Sequence, residues 1–209
     1  MRKILFLSIV LMLSFSAAAF SQQAFEEGVH YQLIKPAQPT DDPGRIEVVE
    51  IFWYGCPHCY HFEPALVPWV KDVPKDVNFY RLPAIFTPLW EVHARAHFTA
   101  DILNVLEKSH TALFHAMQVE HESMNTVDKL ASFYAQYGID ENLFKKTYNS
   151  FVVNTRVSRT KDLVQRYGVK GVPALVVNGK YLITGRMAKS YENMLLITEY
   201  LVDKERNVK

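Results

Sequence analysis

Apolar residues in this chain gather into short runs at its two ends and fall at helical spacing through its middle. Residues 29–34 alternate loosely and stop at Lys35-Pro36, which predicts a first strand. A turn-rich stretch, 36–44, leads into a second strand at 45–54. Its later residues are apolar on both faces, the pattern of a central, buried strand. A helix starting at Cys56 is expected to run towards Val70 with a kink near Pro64, where proline removes a backbone hydrogen bond. A short strand at 77–82 ends at Pro83. Helical spacing then takes over at 90–106, 111–119, 127–137 and 141–148, with Thr126 and Asp140 as N-caps and Gly138 as a stop. A further helix is expected at 153–167, stopping at Gly168. Strands return at 174–177 and 181–184, joined by Asn178-Gly179, the strongest short hairpin signal there is. The last helix covers about 190–204.

That order, a βαβ half and a ββα half with helices between them, predicts an α/β protein: a thioredoxin fold with an inserted all-helical domain. The expected division is 22–85 and 161–209 for the two parts of the thioredoxin fold and 86–160 for the insertion. The insertion is expected to help form a groove for unfolded chains, with Trp90, Phe98 and Phe114 serving as core.

Residues 1–21 change the picture of where the protein works. Arg2 and Lys3 precede an apolar run at 4–15 and the small residues of Ala17-Ala18-Ala19-Phe20-Ser21, the layout of a signal peptide. Cleavage after Ala19 or after Ser21 both fit, and Ser21 is preferred. The run is short for a membrane span. The full chain has 23 basic and 22 acidic residues; without Arg2 and Lys3 the remaining 188 residues carry a formal charge of −1. That balance argues against nucleic-acid binding. An exported protein with only two cysteines, two residues apart, has none to use as staples, so the pair is there for reactivity.

The pair is Cys56-Pro57-His58-Cys59, directly after the buried strand and Gly55. The first sulfur is thereby placed at the first turn of a helix, where free backbone N–H groups and the helix dipole favour a thiolate. Pro57 suits that turn because it has no N–H to leave unpaired. His58 adds a positive influence beside the sulfur. A structural zinc site would need four ligands, and only His58 and His61 lie nearby, so no metal is expected. His61 reads as a helix-surface residue.

Two further positions carry candidate chemistry. Val172-Pro173 precedes the strand at 174–177; it is either an ordinary trans proline opening an edge strand or a cis bond facing the cysteines. Glu50 interrupts the apolar run of the buried strand. It is either a strand-surface acid or a buried carboxyl with a raised pKa or a cationic partner, placed to carry protons beneath Cys59, with Arg81 as candidate partner.

Residues 52–63 (FWYGCPHCYHFE), 170–181 (KGVPALVVNGKY) and 149–153 (NSFVV) together resemble the DsbA family of bacterial periplasmic thiol:disulfide oxidants, across essentially the whole chain after residue 21. Reductases of the thioredoxin type typically carry Gly-Pro between the cysteines and eukaryotic isomerases Gly-His. The resemblance implies a cis bond at Pro173, a substrate-binding role for Val172 and Pro173, a buried acid at Glu50, and catalysis by Cys56 and Cys59. It implies a periplasmic, monomeric oxidant of unfolded or partly folded exported proteins, reset by a DsbB-like inner-membrane oxidase, with no cofactor beyond the Cys56–Cys59 disulfide. Arg81 stands where some members carry Lys, which keeps the charge but changes geometry and proton availability. The rival readings are a disulfide isomerase or reductase and a chaperone-like binding module; no spare segment suggests the dimerisation domain of a periplasmic isomerase.

Overall fold

The computed structural model describes residues 25–208; the expected signal peptide lies outside them. In a five-stranded sheet the interior strand β2 (Ile46–Phe52) is buried at every position. It pairs in parallel with β3 (Val77–Pro83) and antiparallel with β4 (Ala174–Val177). Beyond β4 come β5 (Tyr181–Thr184) and β1 (Gln32–Leu33), giving the order β1-β5-β4-β2-β3. The three residues joining β4 to β5 include Asn178 and Gly179, both at positive φ, 51° and 62°, and the Lys180 N–H donates to the Val177 carbonyl to close a β-turn around that pair.

Helices cover both faces. On one lie α1 (Pro57–Lys71) and the C-terminal α8 (Tyr191–Arg206), packing Phe62, Leu66, Met194 and Ile197 against Ile46, Val48, Leu175 and Val177. On the other, Leu163, Val164 and Tyr167 cover Val49, Ile51 and Val176. This alternation puts even-numbered residues of β2 on the α1 side, Glu50 among them. The helix α1 runs unbroken through Pro64 and Pro68.

Between β3 and β4 come α2 (Pro88–Ile102), α3 (Leu106–Gln118), α4 (Val127–Ala135), α5 (Glu141–Tyr148) and α6 (Phe151–Arg166). The single helix predicted over 90–106 is instead two helices' worth of chain. Asn104 adopts φ 57°, a left-handed conformation that cannot continue a helix, and α3 begins five residues before the expected 111. Thr126 and Asp140 cap α4 and α5 by accepting from the backbone N–H groups of Lys129 and Leu143. The helix α6 runs through residue 160, and its two halves have different neighbours: Val153 and Val157 pack on Phe98 of α2, Leu163 and Val164 on the sheet. A four-residue helix, α7 (Gly185–Ala188), precedes α8. Among the described residues no helix is long and apolar enough to cross a membrane.

Candidate active site

Where β2 ends, the chain turns at Gly55 and enters α1. Cys56 is the N-cap residue, in extended conformation, and Pro57 occupies the first helical position. A side chain at Gly55 would set its Cβ 2.2 Å from the Trp53 ring. Glycine is thus what lets the indole fold back under the turn. Trp53 is fixed there by stacking on Trp90, centroids 4.2 Å apart and planes 8° from parallel, and by donating its Nε1–H to His93 Nδ1 at 2.9 Å. Trp90 is half-buried in that stack, while Phe98 and Phe114 are buried as expected of core.

Both cysteines carry free sulfurs, so the geometry is that of the dithiol. Their environments differ sharply. Cys56 keeps 9% of its surface exposed and Cys59 none. The Cys56 thiol is pulled down to about 6, first by the hydrogen bond from the Cys59 side chain. Burial opposes this, while the backbone N–H groups of Cys59 and His58 and the His58 ring assist. The Cys59 thiol is pushed far above its ordinary value, by burial first and then by its hydrogen bond to Cys56 and the negative charge of that sulfur. One sulfur is an anion at neutral pH and the other holds the proton.

The loop before β4 closes the site. The Val172–Pro173 bond is cis, as is Lys35–Pro36, which the sequence reading did not single out. The antiparallel register of β4 on β2, with Ala174 opposite Ile51, brings that loop beside the start of α1. There the Val172 carbonyl oxygen lies 3.6 Å from Cys56 Sγ. His58 is exposed at the rim, with the Tyr191 hydroxyl 3.4 Å from its Nδ1. A cavity of about 1130 Å³ opens between His58 and the 170–173 loop. Its wall comes from Gln32, His58 and the 168–192 stretch, with no residue of the helical insertion. The insertion instead packs Leu113, Phe114 and Ala96 behind Phe52, Tyr54 and the two cysteines.

Glu50 is fully buried under Cys59, and it has the predicted partner. Parallel register sets Arg81 directly across from it, and Arg81 Nε donates to Glu50 Oε2 at 2.9 Å. Arg81 also reaches Glu63 Oε1 at 3.3 Å. One guanidinium thus serves two buried carboxyls. Burial pushes Glu50 up to about 8 against the attraction of Arg81. Glu63 is also raised by burial, but His110 and Arg81 outweigh this and hold it below the ordinary range. Glu50 Oε1 has no hydrogen-bond partner among the described residues, which suits a carboxyl that holds or passes a proton.

The sequence reading missed the rest of this network. Glu63 sits four residues after Cys59, on the same face of α1, and that spacing was the available signal. His110 Nε2 stands 3.6 Å from Glu63 Oε1, and its Nδ1 is 2.8 Å from the Tyr54 hydroxyl, which also lies 3.3 Å from His97 Nδ1. Nothing in the local pattern of α2 or α3 announces that these two histidines face the cysteine helix. His61 is exposed on α1 and takes no part.

Comparison with known proteins places this geometry. The DSBA-like thioredoxin domain matches residues 79–195, a span that includes the insertion and the cis-proline loop. The thiol:disulfide interchange protein DsbA of Pseudomonas aeruginosa is 40% identical over 206 residues, 99% of this chain and 98% of its own. That of Pseudomonas syringae pv. tomato is 41% identical over 192 residues, 92% and 90% of the two chains. The crystal structure of Pseudomonas aeruginosa DsbA superposes with a TM-score of 0.85 at 42% identity, covering 88% of this chain and 96% of that one. The oxidoreductase DsbA from Xylella fastidiosa gives 0.81 at 40% identity, over 85% and 96%.

Proposed function

The chain belongs to the DsbA family of thioredoxin-fold thiol:disulfide oxidoreductases, and on that footing we propose that it donates its Cys56–Cys59 disulfide to newly exported proteins in the periplasm. A substrate thiolate attacks Cys56 Sγ, forming a mixed disulfide and expelling the Cys59 sulfur. Cys59 leaves into a buried site that disfavours an anion, so it takes up a proton, and Glu50, itself protonated up to about pH 8, is the acid beneath it. The substrate's second thiolate then attacks its own linked sulfur and expels Cys56 as a thiolate, which accepts the Cys59 S–H. Two electrons pass from two substrate thiols to the Cys56–Cys59 pair. One proton ends on Cys59, and at neutral pH the other is released. No further cofactor enters this scheme. Val172, whose carbonyl lies against Cys56, and the cis Pro173 after it hold the incoming segment. A DsbB-like membrane oxidase takes the two electrons back, and the protein acts as a monomer.

The observation that carries this reading is the split between the two sulfurs. An acidic Cys56 leaves quickly and stabilises only the dithiol. The gain depends on pH, because only the interval between the pKa and the ambient pH counts. At pH 7, a thiol lowered from 9.0 to about 6 favours the dithiol by about 1.4 kcal/mol, or roughly 30 mV for two electrons. Equilibration with glutathione buffers and alkylation at mildly acidic pH test the reading. The disulfide is expected to be reduced at far lower thiol than thioredoxin's, and Cys56 to be labelled long before Cys59. A pair as hard to reduce as thioredoxin's, with both sulfurs labelled equally slowly, would refute the oxidant role.

A further inference from the structure

The cavity beside Cys56 has a charge pattern that the exchange reaction itself does not call for. Lys170, Arg186 and Lys189 all line it, all are exposed, and none has a carboxylate partner among the described residues. Exposed arginines elsewhere behave otherwise: Arg45 holds Asp42, Arg159 holds Asp41 and Arg166 holds Asp162. Glu192 is the one acid on the cavity wall among the described residues. The chain as a whole has a formal charge of only +1, so three unpaired cations around one opening are a local concentration. Val172, which lines the cavity, also sets its carbonyl oxygen 3.6 Å from Cys56 Sγ, so the opening lies beside the reacting sulfur. With about 1130 Å³ it is larger than the ~300–1,000 Å³ of ordinary small-molecule sites and has room for a length of peptide.

We propose that this cavity receives the segment flanking the substrate cysteine and that Lys170, Arg186 and Lys189 select segments carrying acidic side chains there. The inference rests on the oxidant reading above and names its preferred substrate class. Cations lining a concave wall concentrate oppositely charged partners, and the effect appears in the association rate and fades with salt. An acidic neighbour also raises the pKa of the substrate's own thiol and slows its attack. Raw rates therefore understate the preference, and the comparison has to be made between proteins for the same peptide.

The test uses three synthetic dithiol peptides whose cysteines are flanked by Asp and Glu, by Ser and Gly, or by Lys and Arg. Each is mixed with the oxidised protein and with the Lys170→Gln, Arg186→Gln, Lys189→Gln triple variant. Every second-order rate is divided by the same protein's rate with dithiothreitol, an uncharged dithiol, which removes any change in Cys56 itself. At low salt the normalised rate of the acidic peptide is expected to fall about tenfold in the triple variant, with the neutral peptide unmoved and the basic peptide faster. At about 1 M salt, where charges are screened beyond about 3 Å, the difference between proteins should largely vanish. Normalised rates equal in the two proteins for all three peptides would overturn the preference while leaving the oxidant reading intact. Failure to oxidise dithiothreitol would overturn both. Absence of peptide selectivity, with sedimentation on phosphatidylglycerol vesicles that the triple variant loses, would assign the patch to a membrane surface and overturn the peptide proposal.

Discussion

Removing the Cys59 sulfur should change the acidity of Cys56 more than any other single substitution at the site. The hydrogen bond from the Cys59 side chain is the largest influence lowering the Cys56 thiol to about 6, ahead of the backbone N–H groups and the His58 ring. A hydrogen bond to a charged group contributes about 1.5–3 kcal/mol, which corresponds to roughly 1–2 pKa units. In Cys59→Ala, Cys56 should therefore titrate near ~7–8, and its thiolate fraction at neutral pH should drop from about nine-tenths to between about half and one-tenth. Water entering the space left by the sulfur would replace part of the lost bond and place the result towards the lower end. Cys59→Ser supplies the control, since its hydroxyl still donates and is smaller than the thiol. That variant should stay close to 6. The assay is the ultraviolet absorbance of the thiolate, followed from acid to alkali in each single-cysteine protein, with iodoacetamide alkylation rates over the same range as a second reading. Equal titration midpoints for the alanine and serine variants would refute the reasoning. They would mean that the start of α1, and not the neighbouring sulfur, holds the anion.

Glu50→Gln should change how stability depends on pH. A glutamate that titrates at 4.5 in the unfolded chain and at about 8 in the folded one binds more protons when folded between those values. Its stabilising contribution is full below 4.5 and is lost as pH rises through about 8. Urea unfolding across that window should show the variant gaining on the parent as pH rises; parallel curves would contradict the raised pKa. In the same variant, formation of the mixed disulfide should slow when single-turnover oxidation of a peptide is followed, because Cys59 loses its acid. Gly55→Ala should destabilise the fold by about 2 kcal/mol and alter indole fluorescence, since a Cβ 2.2 Å from the Trp53 ring forces that side chain off Trp90. Unchanged stability and emission would show that the turn can yield without moving the tryptophan.

Much of this protein is legible in the order of its residues, because the strongest signals are local. Alternation and helical spacing, the Asn178-Gly179 turn and the caps at Thr126 and Asp140 depend on neighbours within a few positions; the turn and both caps appear where the sequence puts them, while the first strand shrinks from 29–34 to Gln32–Leu33. The Cys56-Pro57-His58-Cys59 turn is local as well, so the chemistry could be named from it. Local reasoning failed where a single residue overrides a periodic pattern, as Asn104 does in dividing the helix expected over 90–106.

Tertiary structure alone decided what surrounds the sulfurs. The parallel register of β2 and β3 sets Arg81 across from Glu50, and a shift of one residue would have turned the acid to the opposite face. The packing of α2 and α3 behind the cysteines brings His97 and His110 to Tyr54, from 43 and 56 residues away in sequence. The return of the chain at 168–192 supplies the cis proline beside Cys56 and the cationic cavity wall. The physical reason is the same throughout: acidity, charge balance and access depend on distances through space, while the pattern along a chain encodes only which face a residue will turn to its own element's neighbours.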